Sequence, residues 1–297
     1  MENISADSRP REGVSTPRTR RIHTQHVGAW TLTLLTLVIF RTRRERLVPG
    51  APQSDTVSFP SNVLHCRRGD QTILVDAGEG TLGTPPGLPS SQEDPMTLER
   101  ALVSVGCTVK DVTAVVVTHL DCDHASGIVT GDRDKLRPTF PNACVVFPEG
   151  ALEYVRSTRL QRSETDSRLA LDALCSAKVE VRTVADGAEA VPGMRLIFVP
   201  GHREIHAAIE IREGSDRFVY LADVFHLSEE IEHPEAQHGS DIDADPVQAA
   251  ATRRRVLEAI DPRDLVAASH IDGFGRIARS GGRRVWRPLA RATLSPS

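Results

Sequence analysis

The feature that most constrains the fold is a recurrence of short apolar runs that each stop at a histidine or an aspartate. Thr72–Val75 stops at Asp76, Ala114–Val117 leads through Thr118 to His119, and Met194–Val199 runs into Pro200-Gly201-His202. Phe218–Ala222 stops at Asp223, and Leu265–Ser269 at His270. Runs of four to six residues rich in Val, Ile and Leu predict buried strands. Polar groups at strand ends sit on loops held by a rigid scaffold, which is where binding chemistry concentrates. Helices are predicted over 97–105, 148–157, 163–174 and 246–260, so the chain mixes both kinds of element. Thr97 stands where a helix cap belongs, and Arg67-Arg68-Gly69-Asp70 reads as a hairpin turn between two strands.

The densest of these strand ends is Thr118-His119-Leu120-Asp121-Cys122-Asp123-His124. Four potential metal ligands (His119, Asp121, Asp123 and His124) fall within six residues. Ala125-Ser126-Gly127 then lets the backbone turn tightly. Two carboxylates this close repel each other unless a cation sits between them. Adding His202, Asp223 and His270 gives seven nitrogen and oxygen donors. That number suits two divalent ions sharing a carboxylate and a water, and a His/Asp set fits zinc, iron or manganese.

The motif His119-Leu120-Asp121-Cys122-Asp123-His124, followed in order by His202, Asp223 and His270, resembles the signature of the metallo-β-lactamase superfamily. The resemblance spans about residues 27–288. It implies an αβ/βα four-layer sandwich, with His119, Asp121 and His202 holding one metal and Asp123, His124 and His270 the second. Asp223 would bridge the two, and a hydroxide held between them would be the nucleophile. Asp123 would also orient that hydroxide. Asp76-Ala77-Gly78 is similar to the family's Asp-x-Gly turn, which supports the metal site without ligating. Thr139–Ala143, Asp245-Pro246 with Thr252-Arg253-Arg254, and Gly275-Arg276-Ile277 before Trp286-Arg287-Pro288 resemble the lactonase and organophosphate-hydrolase branch. The implied activity is metal-dependent hydrolysis of a small ester, lactone, thioester or phosphotriester. Two other readings stand beside it: a mononuclear iron oxidoreductase acting on a sulfur-containing small molecule, and a non-catalytic metal-binding protein.

One position departs from the pattern. Asp121 stands where the signature has histidine. A carboxylate there makes the ligand set more anionic and harder, which predicts weaker Lewis acidity and a shift from zinc toward manganese or iron. His226, three residues after Asp223, has two readings. It donates to a developing oxyanion or leaving group as a catalytic residue, or it holds a carboxylate ligand. His206 reads as structural and Trp286 as core packing. Cys122 is expected to point away from its neighbours if the hexad alternates. The charged stretch 153–168 reads as a solvated helical pair rather than a lid. His65, His233 and His238 carry no motif.

Composition bounds the alternatives. The chain has 297 residues, 39% of them hydrophobic and 26% charged, as in a soluble globular protein. A net charge of −4 gives no global case for nucleic acid. Five cysteines without paired spacing favour free thiols in a reducing compartment, hence a cytoplasmic protein. Residues 1–25 are polar and arginine-rich and read as an arm or disordered segment, with the catalytic domain over 26–297. Such an arm offers a route to a homodimer. Residues 29–40 alternate Thr31 and Thr33 with Trp30, Leu32 and Leu34, which predicts a strand in place of a signal sequence. The stretch is too short to span a bilayer, and no membrane association is expected. The partner implied is a small-molecule substrate.

Overall fold

The computed structural model describes residues 21–83, 91–93 and 95–290. Two mixed sheets dominate it. The first runs in the order Ile22–Val27, Trp30–Arg43, Thr56–Arg68, Gln71–Val75, Ala114–Val116, Cys144–Pro148 and Val181–Val184, with Ser91–Glu93 also paired to Trp30–Arg43. The second runs Glu189–Val191, Met194–Phe198, Ala207–Glu213, Asp216–Tyr220, Leu265–Ala267, Gly275–Ser280 and Arg283–Pro288. The two sheets are therefore consecutive in the chain.

Three separate cores show the layering. Trp30, Leu32, Leu34, Leu64 and Val75 of the first sheet meet Ile209, Ile211, Phe218 and Tyr220 of the second. The opposite face of the first sheet, with Leu35, Val63, Leu74, Val115 and Val145, packs on Leu98, Leu102, Tyr154, Leu171 and Leu174. These come from the helices Leu98–Val103, Ala151–Val155 and Ser167–Ser176. The outer face of the second sheet, with Val219, Leu221 and Val266, packs on Val256 and Leu257 of the helix Pro246–Ala259. Helix, sheet, sheet and helix make the four-layer αβ/βα sandwich that the resemblance implies. Strands covered on both faces read as continuous apolar runs, which is why Ile73–Val75, Ala114–Val117 and Val145–Phe147 lack alternation.

Parallel pairing gathers the strand ends. Val75, Val116 and Val146 lie side by side in parallel register, so Asp76 and Thr118-His119 emerge at one edge. In the second sheet Tyr220 pairs with Ala267 in parallel, placing Asp223 and His270 at a common edge. Parallel strands deliver their carboxyl ends to the same side, where ligand sites collect. Asn62 ties the two edges together: its Nδ2 donates to the carbonyls of Ala268 and Ile271 at 3.3 and 3.0 Å, and its Oδ1 accepts from Thr36 at 2.7 Å.

Several expectations shift in detail. Ile22–Val27 is a strand paired with Trp30–Leu35, so residues 22–25 belong to the sandwich and not to the arm. The rest of the arm, residues 1–20, lies outside the described residues, as does most of the Pro-, Gly- and Ser-rich stretch 83–95. Residues 30–40 of the expected 29–40 fall within the strand Trp30–Arg43, as the alternation predicts, and Ala29 lies in the turn before it. Within the charged stretch 131–141, Arg137–Pro138 pairs with Val129–Thr130. Among the described residues no helix is long and apolar enough to cross a membrane.

Candidate metal centre

The loop after Ala114–Val116 does not stay extended. Cys122–Ala125 forms one helical turn with Asp121 before it. The turn needs glycine at 127, because a Cβ there would lie 2.0 Å from the Ala77 carbonyl oxygen. Gly127 N–H donates to Gly78 O at 2.7 Å, locking this loop onto the Asp76–Gly80 turn. Gly201 is similarly constrained. Its φ is +130°, and a Cβ would meet Ala249 N at 2.3 Å, so the helix Pro246–Ala259 starts directly against the His202 loop.

Four histidines face one another, and the partner of each Nδ1 fixes which nitrogen carries the proton. His124 Nδ1 lies 2.8 Å from Asp76 Oδ2. His270 Nδ1 lies 2.8 Å from Pro60 O, and His202 Nδ1 3.2 Å from Asp243 Oδ1. Carbonyl and carboxylate oxygens accept, so each Nδ1 is the donor. The Thr118 hydroxyl donates to Asp76, within 3.0 Å of both its oxygens, and accepts from His119 Nδ1 at 2.9 Å. All four Nε2 lone pairs are thereby left for the centre, as in metal sites whose outer partners set the tautomer. His119, His124 and His202 Nε2 and Asp223 Oδ1 are buried with no hydrogen-bond partner. Buried polar atoms are seldom left so, and a cation is the partner this donor set fits.

Two ligand groups emerge around Asp223. His119 and His202 Nε2 lie 3.8 and 3.6 Å from Asp223 Oδ2. His124 Nε2 lies 3.2 Å from Asp223 Oδ1 and 3.5 Å from Asp123 Oδ2. His270 Nε2 lies 3.0 Å from Asp223 Oδ2 and 3.6 Å from Asp123 Oδ2. Ligands about 2.0–2.2 Å from a tetrahedral ion stand about 3.3–3.6 Å apart. The spacings fit ligands around a metal centre, with Asp223 Oδ2 facing His119, His202 and His270 and Oδ1 facing His124.

Electrostatics agree. Burial opposes charge on His124, yet Asp223, Asp123 and Asp76 pull its pKa well above the ordinary value. His270 is likewise raised against burial by Asp223. Asp223, despite burial, is held well below the carboxylate range by His124 and His270. His124 and His270 are thus drawn toward the charged form, whereas burial, followed by His124, holds His119 below its ordinary value.

Asp121 has a second partner that sequence reasoning missed. Arg203 Nε donates to its Oδ1 and Nη2 to its Oδ2, both at 2.6 Å. Nη1 donates to His202 O at 2.6 Å and Ile242 O at 2.7 Å, and Nη2 also reaches Ser163 Oγ at 3.2 Å. All five guanidinium N–H bonds are therefore used. Asp121 Oδ2 remains 3.7 and 3.4 Å from His119 and His202 Nε2, within reach of the same ion. Burial pushes the Asp121 carboxyl up, but Arg203 and the two histidines hold it well below the usual range. The expected gain in negative charge is thus balanced: Asp121 and Arg203 together are neutral, like the histidine of the signature. The premise for a shift toward manganese or iron falls with it. Two clues in the sequence pointed there, an aspartate in place of histidine and an arginine directly after His202.

The stretch 153–168 is not a solvated pair. Ser163, Glu164, Asp166 and Ser167 are buried. Ser163 Oγ donates to Asp121 Oδ1 at 2.9 Å and Ser167 Oγ to Leu120 O at 2.7 Å, so the segment clamps the metal loop. Cys122 does not alternate away, since it begins a helical turn. It lines the site cavity, and burial, followed by Asp123 and Asp121, pushes its thiol up and keeps it protonated. His206 forms a bridge with His119, and its Nε2 accepts from Asp223 N at 3.4 Å.

The cavity over the centre holds about 130 Å³. Phe40, Leu47, Phe59 and Ile242 form its apolar wall, and Asp123, Asp223, His202, His226 and His270 its floor. His226 stacks on His270 at 5.4 Å and 10°, with Nε2 3.6 Å from Asp223 Oδ2. Burial holds its pKa well below the ordinary value, so it is neutral near pH 7.

The profile of the metallo-beta-lactamase superfamily matches residues 57–270. The chain belongs to that superfamily. Among solved structures it is similar to AidC, a dizinc quorum-quenching lactonase, with a TM-score of 0.76 and 17% identity over 91% of this chain and 97% of AidC. It is similar to AbOPH, a hydrolase of the beta-lactamase superfamily, with a TM-score of 0.75 and 20% identity over 92% and 99% of the two chains. A probable metal-dependent hydrolase from Staphylococcus aureus gives 0.69 and 18% over 91% and 100%. At these identities the likeness is one of fold. No curated protein sequence matches the chain.

Proposed function

We propose that the chain is a hydrolase of small esters, lactones, thioesters or phosphotriesters that works with two divalent ions, zinc first among them. The observation that carries this is the convergence of four Nε2 lone pairs on Asp223, each set from outside by Asp76, Thr118, Asp243 or Pro60. In this reading His119, His202 and Asp223, with Asp121 Oδ2 at their edge, hold one ion. Asp123, His124, His270 and Asp223 hold the other. Ions bound there supply Lewis acidity and lower the pKa of water to about 7.

The chain's own residues divide the remaining work. Asp123 is the most exposed carboxylate of the set, its side chain 15% accessible, and it orients water at the cavity floor. His226 is neutral and faces the cavity. With its proton on Nε2 it donates to an oxygen that gains charge during acyl or phosphoryl transfer. Phe40, Phe59, Leu47 and Ile242 exclude water and accept an apolar group, so the substrate is small and carries an apolar substituent. Lactones come first, because AidC shares the fold and is described as a lactonase.

The test is a panel of lactones, aryl esters, thioesters and phosphotriesters, run with zinc, manganese or iron. Turnover of one class that disappears with chelator and returns with metal is the expected result. Turnover that survives complete metal removal, or oxygen consumption with iron and no hydrolysis of any class, overturns the reading.

A further inference from the structure

Behind His226, away from the cavity, lies a second cluster that shares only His226 with the outer centre. His226, Glu230 and His238 are all buried, and one ligand atom from each falls within 4.8 Å of the others. His238 Nε2 lies 3.4 Å from Glu230 Oε1, and His226 Nδ1 lies 4.0 Å from Glu230 Oε2. His226 Nδ1, Glu230 Oε1 and both ring nitrogens of His238 have no hydrogen-bond partner.

The surroundings decide what these atoms offer. His238 Nδ1 lies 3.0 Å from Asp243 Oδ2, which also accepts from Arg253 Nη1 at 3.2 Å. The other Asp243 oxygen faces His202 Nδ1. Asp243 is the nearer carboxylate, at 3.0 Å against 3.4 Å for Glu230, so the His238 proton is placed on Nδ1 by proximity and the Nε2 lone pair faces Glu230. His226 Nε2 faces Asp223 and the cavity, so its proton belongs there and Nδ1 is an acceptor. Glu230 Oε2 already accepts from His226 N–H at 2.8 Å. Three acceptors thus converge with no donor among them. A proton on Glu230 would satisfy one contact and leave His226 Nδ1 alone. A cation satisfies all three.

We propose that His226, Glu230 and His238 form an inner metal site, of two imidazoles and one carboxylate, that takes a zinc-like dication. Asp243 joins the inner site to the outer centre through His238 and His202. The proposal does not rest on hydrolysis, because it concerns metal content alone.

The experiment strips the full-length chain with chelator, reloads it with zinc, desalts it and counts metal per chain by mass spectrometry. His238→Gln is compared with the unaltered protein, so the difference of one ion is read whatever the outer centre holds. A loss of one equivalent in folded His238→Gln, with the rest retained, supports the inner site. Equal metal content in the two proteins overturns it. Anomalous scattering at the zinc edge from crystals of the unaltered protein decides the matter if the variant does not fold. A peak between His226, Glu230 and His238 supports the site, and water density there without anomalous signal removes it.

Discussion

Arg203→Met isolates the role of the Asp121 pair. Methionine keeps an unbranched stem but removes five N–H donors and one charge. Asp121 then stays buried at 5% exposure, with Ser163 as its remaining direct hydrogen-bond donor. Breaking one side of a buried ion pair costs about 3–5 kcal/mol. With an unfolding entropy of about 2.1 cal/mol/K per residue over 297 residues, the transition entropy is roughly 0.6 kcal/mol/K. The metal-free variant should therefore melt about 5–8 °C below the unaltered protein. The sign of the pH effect also follows. Arg203 helps hold the folded Asp121 carboxyl below its unfolded value, so the pair stabilises above that value and its contribution fades as pH falls. In Arg203→Met burial wins, the carboxyl pKa rises, and the deficit should be larger at pH 8 than at pH 5. A divalent ion near Asp121 replaces the missing positive charge, so zinc should raise the melting point of the variant more than that of the parent. Adding Asp121→His to Arg203→Met restores the family signature and should recover most of the loss. Thermal melts of the three proteins, with and without zinc at both pH values, give every quantity. A metal-free Arg203→Met that melts within a degree of the parent, or a double variant no better than the single one, refutes the reasoning.

Other outcomes follow from the same geometry. Asp76→Asn weakens the pinning of His124 directly and of His119 through Thr118, and should lower metal affinity by about 10–100-fold, read by competition with a coloured chelator. Gly127→Ala forces a Cβ onto the Ala77 carbonyl at 2.0 Å and should cost about 3 kcal/mol or more in urea unfolding. In metal-free protein His124 and His270 have raised folded pKa values, so their contribution is full below the unfolded value and is lost as pH rises through the folded one. The metal-free melting point should accordingly fall between pH 6 and pH 9. The zinc-loaded protein should instead lose stability on acidification, as protons displace metal. His226→Ala should lower turnover by about 10²–10³-fold if its Nε2 donates to substrate, with the outer centre's zinc retained; steady-state kinetics alongside metal counting reads both.

The strand ends were legible because burial on both faces forces unbroken apolar runs, and a polar residue after such a run marks an edge. That logic placed His119, His202, Asp223 and His270 before any contact was seen. It did not place Arg203, Asp243 or His238, which lie on irregular loops, or Glu230, which lies in the short 3-10 turn Ser228–Ile231, because their positions depend on packing. His238 carries no motif, yet it touches Asp243 and Glu230 in the interior. Ser163 and Glu164 misled for a related reason. Their charged neighbours Arg159, Arg162 and Arg168 suggest solvent, while the short turn between them points inward at Asp121. Cys122 was misjudged through an assumed period of two where the chain makes a helical turn.

The two sheets follow one another along the chain, divided near residues 185–188, and each supplies part of the ligand set. Asp123 and His124 emerge from the ribosome long before Asp223 and His270. During synthesis the first sheet must wait with Trp30, Leu32, Leu34 and Val75 uncovered, on the face the second sheet later closes. In the proposed centre the ligands of the first ion are complete once Asp223 has been made, but those of the second wait for His270. If two ions bind as proposed, filling the second would be a late check that both halves have docked, and a chain truncated just ahead of His270 would keep most of its strands and only the first ligand group.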